Sequence, residues 1–226
     1  MKIVITGKYG LLSLELQNID SNLIGLSSKK YDISKKSIIK KLNKVNPDIV
    51  IHSGAITNSI TVDQNPSLAI NTNIIGTANI SNYCIKYNKR IVFISTDYIY
   101  SGLKGNYEES DEVLPHNNYA WTKLAGECSV RLVPNHLIIR TSFGPSKFPY
   151  HQAWVNQIVS KDYIDIIAPM ILKAAKSDTT GILNIGTKPK TMFEYALKRN
   201  KISPAKKEFS TNFSLNTNKY EQLYSN

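Results

Sequence analysis

Residues Ser95–Glu127 read STDYIYSGLKGNYEESDEVLPHNNYAWTKLAGE, directly after the apolar run Arg90-Ile-Val-Phe-Ile. The run predicts a buried strand that closes at Thr96. Gly102 to Pro115 is polar and acidic and reads as a loop. Asn117 or Asn118 then caps a helix that carries Tyr119 and Lys123. These two residues stand four apart, so they share a helix face. An ammonium beside a phenol favours the phenolate, which predicts a Tyr119 pKa below the ordinary value of about 10. A hydroxyl so tuned exchanges a proton with a carbonyl or an alcohol. Thr96 offers a second hydroxyl to the same oxygen. Tyr-x-x-x-Lys alone also describes a packed tyrosine beside a solvated lysine. The strand upstream and a glycine turn near the N-terminus favour chemistry.

Working outward, Lys2-Ile-Val-Ile-Thr6 is a short apolar run that meets Gly7-Lys8-Tyr9-Gly10-Leu11-Leu12-Ser13. A strand, a glycine turn and a helix start form a phosphate cradle, because free backbone N–H groups and the helix dipole face an anion. Gly7, Tyr9, Gly10 and Leu11 are the candidate contacts. Ser13 stands where the dinucleotide fingerprint has its third glycine. Leu23–Leu26 predicts a second strand, and the ribose-reading position follows it. There the chain has Ser27, Ser28 and Lys29, with no carboxylate before Asp32. Hydroxyls and an ammonium suit a 2′-phosphate, which favours NADPH, with NADH as the alternative. Asp32 and Ile33 are placed beside the adenine.

Ser34 to Val45 predicts a basic amphipathic helix capped by serine. Ile49–His52 predicts a strand, and Ser53, Gly54 and Ala55 at its carboxyl end leave room for a cofactor. Pro66 to Tyr87 predicts one long helix bearing Asn73, a candidate support for Lys123. Gly76 within it points to close packing. Leu137–Arg140 predicts a fifth strand. The alternation specifies an α/β fold, a Rossmann-like doubly wound parallel sheet. We divide the chain into a dinucleotide-binding domain, 1–145, and a small C-terminal substrate-binding lobe, 146–226, parts of which return to the main sheet. In that lobe Tyr163 to Lys176 predicts a helix bent or restarted by Pro169, and Ile182–Ile185 a strand.

The 226 residues, 42% of them hydrophobic, predict a globular chain. A net charge of +11 raises the question of an acidic partner. The lysines are scattered and no basic aromatic cluster accompanies them, so no nucleic acid is expected. Two cysteines and four histidines lack metal-ligand spacing, so no metal is expected. No apolar run reaches membrane-span length and the N-terminus does not read as a signal peptide, which points to the cytoplasm.

The stretches ITGKYGLL, NPDIVIHSGAIT, NIIGTANI, ISTDYIYSG, NNYAWTKLAGE and LIIRTSFGP together resemble the extended short-chain dehydrogenase/reductases, most closely the dTDP-4-dehydrorhamnose reductase group. The resemblance implies an NADPH- or NADH-dependent reduction of the 4-keto group of a nucleotide-activated 6-deoxy sugar. It implies catalytic roles for Thr96, Tyr119 and Lys123, with Lys123 also on the nicotinamide ribose. It implies Thr57, Asp97, Tyr98 and Tyr119 at the substrate, and it leaves room for a homodimer. An epimerase or dehydratase of the same superfamily is an alternative, as is a non-catalytic subunit like the methionine adenosyltransferase regulatory subunit. No Asp-Glu pair follows Thr96, which disfavours dehydration. Retention of Thr96, Tyr119 and Lys123 disfavours a pure binding module. The stretch between Gly144 and Asp162 is short for the family.

Overall fold

The structure, a computed structural model, describes residues 1–224. The first part alternates β1 (Ile3–Thr6), α1 (Leu11–Ile19), β2 (Ile24–Leu26), α2 (Ser37–Val45), β3 (Ile49–His52), α3 (Ser59–Gln64), α4 (Pro66–Ala69), α5 (Gly76–Lys86), β4 (Arg90–Ile94), α6 (Asn118–Val130) and β5 (His136–Thr141). There follow β6 (Phe143–Gly144), β7 (Gln152–Trp154), β8 (Gln157–Val159), β9 (Asp162–Tyr163), α7 (Ile164–Lys176), β10 (Gly181–Ile185), β11 (Lys190–Thr191), α8 (Met192–Leu197), β12 (Ser203–Ala205), β13 (Thr211–Phe213) and α9 (Asn218–Tyr224).

Six strands form one sheet in the order β10-β5-β4-β3-β1-β2, and every pairing in it is parallel. Strands buried on both faces are apolar at successive positions, which is why Ile3–Thr6 and Ile49–His52 show no polar alternation. Their side chains still divide by period two. Ile3, Ile5, Ile49 and Ile51 face α1 and α7, where Leu12, Leu16, Ile167 and Ile171 complete one core layer. Val4 and Val50 face the other side, with Ile38 and Leu42 of α2 and Ile80 and Tyr83 of α5. The order reverses between β1 and β3, so a crevice opens above their carboxyl ends.

Three local expectations needed correction. The Pro66–Tyr87 helix is continuous but holds a π-helical segment, Ile70–Ile75, between α4 and α5. Such segments widen the helix by one residue and recur at functional sites. The basic helix begins at Ser37 with no side-chain cap, because Ser34 donates its hydroxyl to Asp32 at 2.6 Å instead. Pro169 does not restart α7, which is assigned as one helix from Ile164 to Lys176. Pro169 and Asp165 are both exposed, which leaves the Asp165 carbonyl that lacks a partner N–H on the solvent side of the helix. The neighbour expected against Gly76 is Ile33: a Cβ there would meet its Cγ1 at 2.7 Å.

The C-terminal part builds a lobe of short pairings, β6 with β9, β7 with β12, and β8 with β11 and β13. Phe148, Tyr163, Tyr195 and Ala196 form its small core. It returns to the main sheet through α7 and through β10, which pairs with β5. Among the described residues, no helix is long and apolar enough to cross a membrane.

Candidate active site

The crevice is a cleft of about 410 Å³. Its wall on the β1 side is the glycine turn. Gly7 takes φ +75°, a conformation that favours glycine, and a Cβ there would stand 3.0 Å from the Cα of Gly54. The Gly10 N–H closes the turn on the Gly7 carbonyl at 2.8 Å. Gly10 and Leu11 line the cleft, as do Ser53, Ala55 and Thr57 at the end of β3. Tyr9 projects outward, 70% exposed.

Thr96, Asp97, Tyr98, Tyr119 and Lys123 line the same cleft. Thr96 follows β4 in extended backbone and caps the 3-10 turn Asp97–Ile99. Its hydroxyl donates to Asp97 Oδ1 at 3.2 Å and accepts the Tyr98 N–H at 3.3 Å. Asn117 caps α6 by accepting the Ala120 N–H at 2.9 Å, which fixes where the first turn presents Tyr119. Lys123 lies one turn on, with Nζ 3.9 Å from the centre of the Phe93 ring.

The electrostatics of this pair reverse one expectation. Burial pushes the Tyr119 phenol up, and Asp97 and Tyr98 add to the rise. Burial also pulls Lys123 down to about 7, against the opposing charge of Glu127. A lysine that is only partly charged near neutral pH cannot offset the desolvation of its neighbour. The phenol therefore holds its proton, the form needed to donate one. Asp97 is pushed up to about 6 by burial, against the Lys161 charge and hydrogen bonds from Thr96 and Ser142.

Ser27, Ser28, Lys29, Asp32, Ile33 and Asn73 stand outside the cleft lining. Ser28 and Lys29 are exposed beyond the end of β2, beside half-buried Ser27. The Lys8 N–H donates to the Leu26 carbonyl at 3.2 Å, which sets this loop next to the glycine turn. Asp32 organises its own loop through Ser34 and Lys35. Ile33 is buried in the core layer under α2 and α5. The direct side-chain bonds of Asn73 go to Ile56 and Thr122. Its Nδ2 donates to the Ile56 carbonyl and to Thr122 Oγ1, both at 2.9 Å, and its Oδ1 accepts the Ile56 N–H at 2.8 Å. It clamps the loop after β3 to α6.

Sequence reasoning missed Lys161, Ser142 and Phe143, which also line the cleft. Lys161 comes from the lobe, where its carbonyl accepts Lys190 Nζ at 3.1 Å. Nothing local in the sequence marks it, because its partner Asp97 is distant in the chain. Ser13, Ser95 and Thr141 line the cleft with buried hydroxyls that have no hydrogen-bond partner. Unpartnered buried hydroxyls are costly unless a ligand or water meets them. With the glycine turn, they fit a bound dinucleotide.

The chain is 29% identical over 152 residues to the dTDP-4-dehydrorhamnose reductase of Mycobacterium tuberculosis, covering 63% of this chain and 50% of that protein. It is 33% identical over 153 residues to the Salmonella typhimurium enzyme of the same name, covering 63% and 51%. It thus spans about half the length of the curated relatives it matches. A hypothetical dTDP-4-dehydrorhamnose reductase from Sulfolobus tokodaii superposes with TM-score 0.89 at 25% identity, covering 100% of this chain and 95% of that one. The Bacillus anthracis reductase, solved in complex with NADP, superposes with TM-score 0.88 at 24% identity over 99% and 94%, a likeness of fold. The family model described as the RmlD substrate binding domain matches residues 1–168, about three quarters of the chain, and the chain belongs to that family.

Proposed function

We propose that the protein is an NADPH-dependent reductase of the 4-keto group of a nucleotide-activated 6-deoxy sugar, working in nucleotide-sugar biosynthesis in the cytoplasm. One observation carries the reading: Thr96, Tyr119 and Lys123 line a single cleft above the Gly7–Gly54 contact. A nicotinamide cofactor, when bound, would supply hydride to the carbonyl carbon. Tyr119 gives its proton to the carbonyl oxygen, so that ketone becomes alcohol. Thr96 turns its hydroxyl from Asp97 toward the same oxygen and fixes its position. Lys123, in its protonated form, places positive charge where the phenolate develops. Gly7, Gly10 and Leu11 would hold the diphosphate of the cofactor, and Ser27, Ser28 and Lys29 its ribose phosphate. Asp97, Tyr98, Thr57 and Lys161 read the sugar nucleotide, Lys161 by its positive charge. Residues 146–226 then form the substrate-facing region, anchored to the sheet by α7 and β10.

The test mixes the protein with NADPH and dTDP-4-dehydrorhamnose and follows the absorbance of the reduced nicotinamide. Native protein consumes it, and Tyr119→Phe slows consumption by ~10²-fold or more. Equal rates in the two proteins remove Tyr119 from the reaction. No turnover with any 4-keto-6-deoxy nucleotide sugar ends the reductase reading.

A further inference from the structure

We infer that His52 is a positioning residue that couples the glycine cradle to the helix carrying Tyr119. The inference rests on the reductase reading for what Tyr119 acts upon. The coupling itself rests on a buried hydrogen-bond path.

The path begins beside the cradle, where the Gly54 N–H donates to Thr6 Oγ1 at 2.9 Å. Thr6 Oγ1 and His52 Nδ1 are 2.7 Å apart, and His52 Nε2 and Thr77 Oγ1 are 3.0 Å apart. The Thr77 hydroxyl donates to the Asn73 carbonyl at 2.6 Å. From the same residue, Asn73 Nδ2 donates to Thr122 Oγ1 at 2.9 Å, and the Thr122 hydroxyl donates to the Tyr119 carbonyl at 2.7 Å. Thr6, His52, Asn73, Thr77 and Thr122 are all buried, so water has little access to replace a broken member.

The polarity of the path fixes the state of the ring. Thr77 gives its only proton to Asn73, so it accepts from His52, and Nε2 carries hydrogen. Burial holds the ring neutral, with its pKa down at about 3, so Nδ1 carries no hydrogen and accepts the proton of Thr6, whose oxygen also accepts from Gly54. His52 therefore presents one acceptor and one donor on opposite edges, a span that no aliphatic side chain provides. A Cβ at Gly126 would meet Thr77 Cγ2 at 3.4 Å and Phe93 Cζ at 2.8 Å. The backbone of α6 thus rests directly on Thr77, one link from the ring. A shift of Gly54 when a ligand settles against the cradle reaches the first turn of α6 by two routes, the hydrogen bonds and this contact.

The test compares His52→Leu, which removes both ring bonds at similar size, with His52→Gln, which keeps one acceptor and one donor. With cofactor and ketone saturating, His52→Leu lowers kcat about tenfold or more while KM for the ketone moves less than about threefold, and His52→Gln recovers most of the loss. The double variant Thr6→Val with Thr122→Val loses less than the product of the single losses, because both cut one path. A kcat in His52→Leu within about twofold of native, or losses that multiply, overturns the coupling. Two readouts need no turnover. The ring nitrogen shifts of His52 report an Nε2–H tautomer, and an Nδ1–H tautomer overturns the polarity. Thr122→Val, remote from the cradle, weakens NADPH binding several-fold in native protein but not in His52→Leu. Unchanged NADPH affinity in Thr122→Val overturns the coupling even if the native protein reduces no ketone, an outcome that by itself sinks only the reductase reading.

Discussion

Glu127 and Arg140 meet in two bonds inside the fold, Nη2 to Oε2 at 2.9 Å and Nε to Oε1 at 3.2 Å, with side chains 1% and 2% exposed. The pair ties α6 to β5, so the helix that presents Tyr119 and Lys123 is held against the sheet by a fork of charged hydrogen bonds. Arg140 Nη1 also donates to the Tyr100 hydroxyl at 2.8 Å and to the Glu109 carbonyl at 3.1 Å. Removing one partner leaves a buried charge without its counterion, which costs ~3–5 kcal/mol. Glu127→Ala is therefore expected to unfold at distinctly lower urea concentration than native protein. A midpoint within error of native would show that the pair does not anchor the helix.

The contact between Gly7 and Gly54 makes a second expectation. Gly7→Ala forces a side chain into φ +75° and against backbone atoms at 3.0 Å. The left-handed conformation alone costs ~1–2 kcal/mol, and the contact adds to it. The larger effect falls on the ligand, because the turn must open at the point where a diphosphate approaches most closely. NADPH affinity, read by fluorescence titration, should fall more than tenfold (roughly 1.4 kcal/mol), while the melting temperature falls only by several degrees. Unchanged affinity would place the diphosphate elsewhere.

In the proposed reductase, the loop after β2 would set cofactor choice. Lys29 is exposed there, beside a turn that Lys8 and Leu26 hold next to the cradle. Lys29→Glu replaces attraction for a 2′-phosphate by repulsion. NADPH affinity should fall about tenfold and NADH affinity should hold or rise. A native preference for NADH in the same titration refutes the assignment.

The sheet was legible because each parallel strand is a short apolar run followed by small or polar residues. Ile3–Thr6 before Gly7 and Arg90–Ile94 before Thr96 are the plainest cases. Tyr119 and Lys123 were legible as a pair because helix periodicity alone puts them on one face. What stayed hidden depends on distant partners. Lys161 joins the cleft only because the lobe folds back over Gly144, where a Cβ would meet its Cε at 3.2 Å. Asn73 looks like any helix amide until the π-helical segment aims it at Ile56. The direction of the Tyr119 shift failed for a related reason. Spacing shows that an ammonium is near, but not that burial brings its pKa down to about 7 and leaves it only partly charged near neutral pH.

Lys123 should therefore weaken the fold that it serves. Its pKa is about 7 in the folded protein against an ordinary 10.5. A depressed pKa means that the group's contribution to stability is full above about 10.5 and is lost as pH falls through 7. Lys123→Met is expected to melt above native protein at pH 6, by up to about 5 kcal/mol, the equivalent of that displacement. The difference should shrink toward pH 10. The same titration should shape the reaction, because kcat/KM reports the free protein. Reduction should slow as pH rises above about 7, where Lys123 loses its charge. Lys123→Met that melts at or below native protein at pH 6 contradicts the buried, poorly solvated ammonium.

His52 and Asp97 should pull stability in opposite directions with pH. Burial, with the Lys123 charge second, holds His52 down to about 3 from an ordinary 6.5. Its stabilising contribution is full above 6.5 and is lost as pH falls toward 3, up to about 5 kcal/mol in all. Asp97 is raised to about 6 from 3.8, so its contribution is full below 3.8 and is lost as pH rises through 6. Between these limits acid removes the first contribution while restoring the second. Melting temperatures taken from pH 7 to pH 4 should fall more steeply in Asp97→Asn than in native protein, because the restoring group is gone. They should fall less steeply in His52→Gln, because no buried imidazole then resists protonation. Parallel curves for the three proteins would mean that neither group changes its protonation between the folded and unfolded chain in this range, and the closed, neutral environment assigned to His52 would be wrong.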